Sequence, residues 1–157
     1  MITGLGGRLM AEILLRDPDK TRDFEECVLE PQSEPWLVRR ALRDLAFGID
    51  REVMVEEDRK FYPVIHAVRD RAGLRPEWKK AEDPAACQGA EDRFGPCLIR
   101  EQDPVLLAFL LHSRKVREKI LSSLTRAADA EKAKERAGEA GHILSLISMI
   151  LEQFGEN

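Results

Sequence analysis

The stretch MITGLGG (residues 1–7) decides the fold class, because a short apolar segment runs directly into a glycine-rich turn. The residues that follow, GRLMAEILL over 7–15, carry apolar side chains at helical spacing, and Asp17 and Pro18 end that segment. Strand, glycine turn and helix in this order are typical of an α/β sheet, in which ligands bind at the carboxyl ends of strands. A tight turn without a ligand is the alternative, since the stretch lacks G-x-G-x-x-G spacing and a P-loop lysine.

The remainder of the first half continues as an α/β pattern and then changes. An apolar run at 24–29 predicts a second strand, and Pro35 with the leucines after it predicts a helix from 34 or 35 to 45. Two β-rich runs at 49–55 and 61–68, joined by a charged turn, predict an antiparallel hairpin. The acidic residues of that turn, EED at 56–58, are interpreted as a solvated turn rather than as a metal site.

The second half is predicted to be a connector followed by helices. Residues 69–93 are polar and lack periodicity, which predicts a long connector with at most one helical turn near Trp78. Pro104 opens a helix that reaches Leu124, and a second helix runs over about 129–153 after a break at 127–130. These two helices predict an antiparallel helical hairpin. The predicted domains are therefore 1–70 (α/β), 71–103 (connector) and 104–157 (helical hairpin).

Composition narrows the function classes. The 157 residues include 43% apolar residues and carry a formal net charge of −4, which argues against nucleic-acid binding by global charge. The sequence shows neither a transmembrane-length apolar run nor the pattern of a signal peptide, so we expect no membrane association and a cytoplasmic location. Its 3 cysteines are interpreted as reduced thiols. Neither the histidines nor the cysteines have the spacing of zinc ligands, so we expect no metal.

One segment departs from the acidic average. Residues 114–136 hold eight basic and four acidic side chains, a local charge of +4. The basic ones are Arg114, Lys115, Arg117, Lys119, Arg126, Lys132, Lys134 and Arg136. Such a segment is compatible with contacts to a phosphate backbone. An ordinary solvated helix surface is the alternative interpretation.

Four segments, in order, resemble the bacterial tRNA adenine-N1 methyltransferases that modify adenine 22, the TrmK family. TGLGG at 3–7 is similar to the family's A-G-M-G-G, and CVLEPQ at 27–32 is similar to its L-x-L-Q-P-N. EEDRKFYP at 56–63 resembles E-E-D-G-K-x-Y-E, and GPCLIRE at 95–101 resembles G-P-x-L-x-x-E. The series covers the whole chain and is more specific than any one motif.

The resemblance implies the second half of a Rossmann-like class I methyltransferase domain, with an incomplete sheet ending in an antiparallel hairpin. An antiparallel, coiled-coil-like pair of helices follows it. S-adenosylmethionine is the implied methyl donor and tRNA the implied substrate. The implied catalytic residues are Gly4, Leu5, Gly6 and Gly7, and the implied cofactor-binding residues are Thr3 and Gly4. The implied substrate-binding residues are Glu30, Pro31, Gln32, Arg114, Lys115, Arg117, Lys119 and Arg126.

The chain also departs from the family pattern. The family carries the first strands and a glycine-rich cofactor loop before the point that matches Met1, so we expect this chain to be the C-terminal portion of an enzyme. A truncated or mis-started reading frame, or a separately encoded N-terminal half, would account for it, and we expect weak binding of S-adenosylmethionine. Glu30 and Gln32 stand where the family has Gln and Asn. A non-catalytic remnant that binds tRNA or a protein through its helices is the alternative.

Overall fold

The computed structural model describes residues 1–79, 83–124 and 130–156. Along the chain the elements are β1 (Ile2–Leu5), α1 (Gly7–Arg16), α2 (Pro18–Arg22), β2 (Glu26–Pro31), α3 (Pro35–Asp44), β3 (Phe47–Glu57), β4 (Lys60–Arg69), α4 (Pro84–Phe94), α5 (Pro96–Arg100), α6 (Pro104–Leu124) and α7 (Ala130–Phe154). None of the helices in the described part combines the length and apolar character that a membrane crossing needs.

The four strands form one mixed sheet in the order β1-β2-β4-β3. β1 and β2 run parallel, whereas β4 is antiparallel to both β2 and β3. The predicted α/β class and the predicted antiparallel hairpin are therefore confirmed. At the hairpin turn Asp58 and Arg59 both have positive φ, 50° and 62°. Two successive left-handed residues match the twist of a two-residue hairpin, so Arg59 adopts a conformation that glycine would favour.

Two apolar clusters hold the molecule together. In the first, α1 and α3 cover one face of the sheet, with Met10 and Leu42 packed against Leu29 and Ile65. The second joins α4 and α5 to α6 and α7 through side chains that include Leu98, Leu106, Ile147 and Ile150. Cys97 of α5 belongs to the first cluster while its neighbour Leu98 belongs to the second. The short helix α5 therefore lies between the sheet and the long helices.

The prediction for residues 69–93 is wrong in one respect, because α4 occupies Pro84–Phe94. The side chain of Asp83 accepts a hydrogen bond from Ala85 N and caps the helix. The buried face of α4 combines Cys87, Ala90 and Phe94 with the carboxylates of Glu91 and Asp92. Its apolar stripe is therefore short and interrupted by charge, and the sequence gave only a weak periodic signal.

The predicted pair of long helices is confirmed as α6 and α7. The side chain of Asp103 accepts hydrogen bonds from Val105 N and Leu106 N, both at 2.8 Å, and starts α6. Val116 and Ile120, two apolar side chains of α6, are 40% and 41% exposed. The predicted break at 127–130 falls largely outside the described residues, and a coiled-coil arrangement stays a prediction.

A buried ion pair joins the sheet to the helical part of the chain. Arg39 Nε of α3 donates to Glu52 Oε1 of β3 at 2.8 Å, and both side chains are almost fully buried. Glu52 Oε2 accepts from Cys97 N at 3.0 Å, and Arg39 Nη1 donates to the carbonyl of Asp92 at 2.9 Å. A Cβ on Gly95 would lie 2.6 Å from Glu52 Oε2 and 2.9 Å from Arg39 Nη2. The glycine of the GPCLIRE segment therefore makes room for the ion pair.

We expect Gly95→Ala to destabilise the fold by about 2–5 kcal/mol, because the methyl group displaces a buried ion pair and φ is +100°. Urea unfolding followed by tryptophan fluorescence measures this change. Gly138→Ala is the matched control, since Gly138 lies in α7 with open space around it. That variant should gain about 0.5–1 kcal/mol from helix propensity. Equal midpoints for the two variants would contradict the role given to Gly95.

Candidate active site

The carboxyl ends of the parallel strands β1 and β2 meet at one edge of the sheet. Leu5 O accepts a hydrogen bond from Gln32 N at 2.9 Å, and Gly7 N donates to Ser33 O at 2.7 Å. These two bonds hold the segment at 4–7 beside the segment at 30–32. The structure thus brings together the two short segments that the sequence singled out, while their catalytic and binding roles stay predictions.

The loop between β1 and α1 is shorter than the glycine-rich turn that the sequence predicts. Thr3, Gly4 and Leu5 belong to strand β1, and α1 begins at Gly7, so only Gly6 lies between strand and helix. Gly4 has a φ of +74° and sits where the register of β1 against β2 shifts. A positive φ at a register shift is the geometry of a glycine bulge, which exposes backbone at the strand end.

Gly7 is the glycine that the local packing requires. A Cβ at this position would lie 2.4 Å from the carbonyl oxygens of both Ser33 and Glu34. Gly6 is less constrained, since its Cβ would meet only the hydroxyl oxygen of Ser33 at 3.0 Å. The start of α1 therefore lies directly against the loop that leads into α3. Sequence reasoning did not identify Ser33 or Glu34, because neither their carbonyl positions nor the φ of 47° at Glu34 has a residue signature.

Polar side chains converge at the β2 end of this edge. Glu30 is half-buried and accepts a hydrogen bond from Gln32 Nε2 at 3.1 Å, while Pro31 between them is buried. Arg8 Nη2 donates to Glu34 Oε1 at 2.8 Å and ties α1 to the loop. The edge thus offers a carboxylate, an amide and exposed backbone. Such groups can orient a flat polar ligand and accept its N–H donors.

The predicted basic contacts lie on α6, on a different part of the molecule from this edge. Arg114 and Arg117 are half-buried, whereas Lys115 and Lys119 are exposed. Arg126 lies outside the described residues. Burial lowers the pKa of Arg117. No hydrogen bond or ion pair within the described ranges joins these side chains to residues 3–7 or 30–32. Nor do the described ranges contain a group of metal-ligating side chains.

His66 occupies the face of the sheet opposite α1 and α3, where it contacts two carboxylates. Its Nδ1 lies 2.5 Å from Asp50 Oδ1, and its Nε2 lies 3.2 Å from Glu26 Oε2. The hydrogen bond with Asp50 raises the pKa of His66, partial burial opposes that effect, and Glu26 raises the pKa further. His66 thus stabilises β3 and β2 against β4 in its charged form.

The model of one protein family, TrmK: tRNA (adenine(22)-N(1))-methyltransferase, matches residues 1–148. The chain belongs to the TrmK family. The match includes the β1–β2 edge as well as α6 and most of α7, so the predicted resemblance is confirmed. A Streptococcus agalactiae protein of the NADB-Rossmann superfamily aligns with a TM-score of 0.69 at 23% identity, over 94% of this chain and 57% of that one, which shows that the two share a Rossmann-like fold.

Individual relatives agree with the family assignment. The chain is 28% identical over 151 residues to the tRNA (adenine(22)-N(1))-methyltransferase of Bacillus subtilis, covering 96% of this chain and 60% of the relative. The crystal structure of the Bacillus subtilis TrmK aligns with a TM-score of 0.73 at 27% identity, over 94% of this chain and 60% of that one. A Streptococcus pneumoniae protein solved with S-adenosyl-L-methionine aligns with a TM-score of 0.67 at 26% identity, over 96% and 58%. The chain thus spans about 60% of the length of the TrmK relatives it matches.

We expect Gly7→Ala to lower the free energy of unfolding by about 1–3 kcal/mol, because its methyl group collides with two carbonyl oxygens that cannot rotate away. Gly6→Ala is the control one residue earlier. Its φ of −66° suits alanine and the Ser33 hydroxyl can turn aside, so the change should stay within about 0.5 kcal/mol. Urea denaturation measures both variants, and a Gly6→Ala loss as large as that of Gly7→Ala would refute the assigned contact.

The raised pKa of His66 predicts a pH dependence of stability. Its contribution is complete below the unfolded pKa of about 6.5 and is lost as pH rises through the higher folded pKa. The stability difference between the native chain and His66→Gln should therefore shrink as pH rises from about 6 into the alkaline range. Thermal melts across this range measure it. His112→Gln, an exposed position on α6, is the control, and a His66→Gln difference that grows with pH would contradict the assignment.

Proposed function

We propose that this chain forms the substrate-facing part of an S-adenosylmethionine-dependent methyltransferase that acts on N1 of an adenine in tRNA, at position 22, in the cytoplasm. The observation that carries the proposal is the TrmK family match over residues 1–148, which spans both the β1–β2 edge and the long helices. Relatives of this family include the Streptococcus pneumoniae protein solved with S-adenosyl-L-methionine. The proposal extends that cofactor and the tRNA substrate to this chain.

The β1–β2 edge has room for the cofactor's methyl-bearing end. Gly4 is exposed, and a Cβ built on it would meet no atom within 4 Å, so Thr3 and Gly4 can lie beside a bound ligand. S-adenosylmethionine supplies an electrophilic methyl group when it is bound. The chain's own contribution is to position the adenine, because the ring nitrogen N1 is itself the nucleophile and orientation lowers the barrier.

The polar groups of β2 suit an adenine ring. Glu30 and Gln32 both have oxygen atoms that can accept a hydrogen bond from the exocyclic amine next to N1. Gly4 on the facing strand leaves space for a base removed from its stack, which modifying enzymes require. In this proposal Gly4, Leu5, Gly6 and Gly7 form the wall behind the base, and Pro31 fixes the β2 end.

The proposal also includes partners for the helical pair and for strand β1. The helical pair would act as an antiparallel, coiled-coil-like arm that holds tRNA through Arg114, Lys115, Arg117, Lys119 and Arg126. β1 has β2 on one side only within the described residues, so its other edge can pair with a further strand. A separately encoded N-terminal half is the proposed source of that strand. No metal takes part in this proposal.

A non-catalytic module that binds tRNA or a protein is the second candidate. One observation favours it: the basic residues described on α6 and α7 lie apart from the β1–β2 edge, so RNA binding does not depend on an intact methyl-transfer site. In that case the chain would hold RNA without changing it. Measuring the modification in cells separates the two candidates.

Deleting the gene for this chain in its source organism should remove N1-methyladenosine at position 22 from tRNA. Reverse transcription, which stops at this modification, and mass spectrometry of tRNA nucleosides measure it. The native gene should restore the modification, and Glu30→Lys should lower its rate by about 10-fold or more, the loss of a hydrogen bond to a charged group.

Glu12→Lys is the matched control, since it makes the same charge change on the exposed side of α1. It should restore methylation fully. Unchanged N1-methyladenosine in the deletion strain would overturn the enzyme proposal, and retention of tRNA binding by the purified chain would then favour the non-catalytic module.

A further inference from the structure

Two adjacent cavities lie along α7, one against α3 and α4 and the other against α6. Their volumes are about 230 and 510 Å³, and Arg93, Glu139 and Ile143 line both of them. Trp36 of α3 lies at one end, and Arg117 of α6 faces the other end with Arg136 of α7. We call this feature the junction groove.

Arg93 stands at the middle of the junction groove without a carboxylate partner. Its guanidinium carbon lies 3.9 Å from the centre of the Trp36 ring, a cation–π contact. The neighbouring cations on α3 behave differently, since Arg40 and Arg43 both pair with Asp92. Within the described ranges no ion pair neutralises Arg93. Glu139 lines the same groove and faces Arg93 without forming an ion pair with it among the described residues, so the N–H donors of Arg93 can bind an anion.

Arg117 is the second unneutralised cation. It contacts the hydroxyl and carbonyl oxygens of Ser113, one turn earlier on α6, and forms no ion pair among the described residues. Burial lowers the pKa of both Arg93 and Arg117, and the charge of Arg117 lowers that of Arg93 further. Glu139, the carboxylate that faces both, acts in the opposite direction. Two partly buried guanidiniums that repel each other favour a shared anion between them.

We propose that the junction groove binds a phosphodiester of an RNA backbone, with Arg93 and Arg117 as its ligands and Arg136 on the outer wall. Guanidinium groups form paired hydrogen bonds with phosphate oxygens, and an arginine stacked on an aromatic ring is held in position for this. The groove begins at Trp36, in the first turn of the helix that follows Glu30 and Gln32. In this proposal a polyanionic strand in the groove passes the first turn of α3 and reaches the helical pair.

This inference rests on the proposed tRNA substrate and adds a site for it. Of the basic residues in the segment 114–136, the described walls of the groove include Arg117 and Arg136. Arg93 lies outside that basic segment. Arg93 and Arg117 are thus proposed as two specific phosphate ligands, in place of contacts spread over a basic surface.

The test measures binding of an unmodified tRNA transcript to the full chain by fluorescence anisotropy at several salt concentrations. Arg117→Gln and Arg93→Gln should each weaken binding by about 10-fold or more and reduce the salt slope by about 1, as expected for one lost phosphate contact. Arg16→Gln is the matched control, because it makes the same change at an exposed position on α1. It should leave the slope unchanged.

Each outcome decides the inference. Salt slopes of Arg117→Gln and Arg93→Gln equal to that of Arg16→Gln overturn it. So does stronger binding of polyglutamate than of tRNA, which would assign the groove to an acidic protein. Circular dichroism checks that each variant is folded. If Arg93→Gln unfolds, the salt slope of Arg117→Gln alone tests the proposed site, because the contacts of Arg117 lie within one turn of α6. A reduced salt slope for the arginine variants together with unchanged N1-methyladenosine in the deletion strain would support the groove and overturn the enzyme proposal. An unchanged salt slope together with loss of N1-methyladenosine would overturn the groove and support the enzyme proposal.

Discussion

The buried ion pair between Arg39 and Glu52 is the constraint on which the arrangement of this molecule depends. Removing two charges from water costs several kcal/mol per ion, so such a pair persists only where further hydrogen bonds complete it. Here Cys97 N and the carbonyls of Asp92 and Arg93 supply such bonds, and Arg39 Nη2 is the buried side-chain atom that has no partner among the described residues. Four elements must meet around the pair: α3, β3, the end of α4 and the start of α5. The sheet and the helical part are therefore joined through backbone groups that specify one mutual position.

Further arginine–carboxylate pairs surround this ion pair on the side of α4. Arg43 holds Asp92 through two hydrogen bonds, and Arg75 holds Glu91 in the same way. In each case the hydrogen bond to the carboxylate is the main cause of the raised arginine pKa. Because α4 buries the carboxylates of Glu91 and Asp92 beside Cys87, Ala90 and Phe94, its apolar stripe is short and interrupted by charge. The connector predicted over 69–93 missed α4 for this reason, whereas α1, α3, α6 and α7 were all predicted from ordinary stripes and proline starts.

The sequence predicted which segments form the candidate site, but it did not predict which residues contact one another there. The residues at 3–7 and 30–32 were both identified, since glycines and a proline mark strand ends in an α/β pattern. Thr3 and Leu5 were placed in a loop because a glycine with positive φ inside a strand has the same signature as a turn. Arg93 could not be found from charge, because it lies outside the basic segment and gains its position from packing on Trp36. Contacts between distant segments leave no local pattern.

Helix α3 links these observations, because each part of it serves a different neighbour. Its preceding loop supplies the carbonyl oxygens that press against Gly7, so the candidate site fixes where the helix starts. Trp36 in its first turn positions Arg93 in the junction groove, and Arg39 in its middle forms the buried ion pair. A rigid helix cannot move one of these contacts without moving the others. The walls of the junction groove and the geometry of the β1–β2 edge are therefore positioned by the same helix.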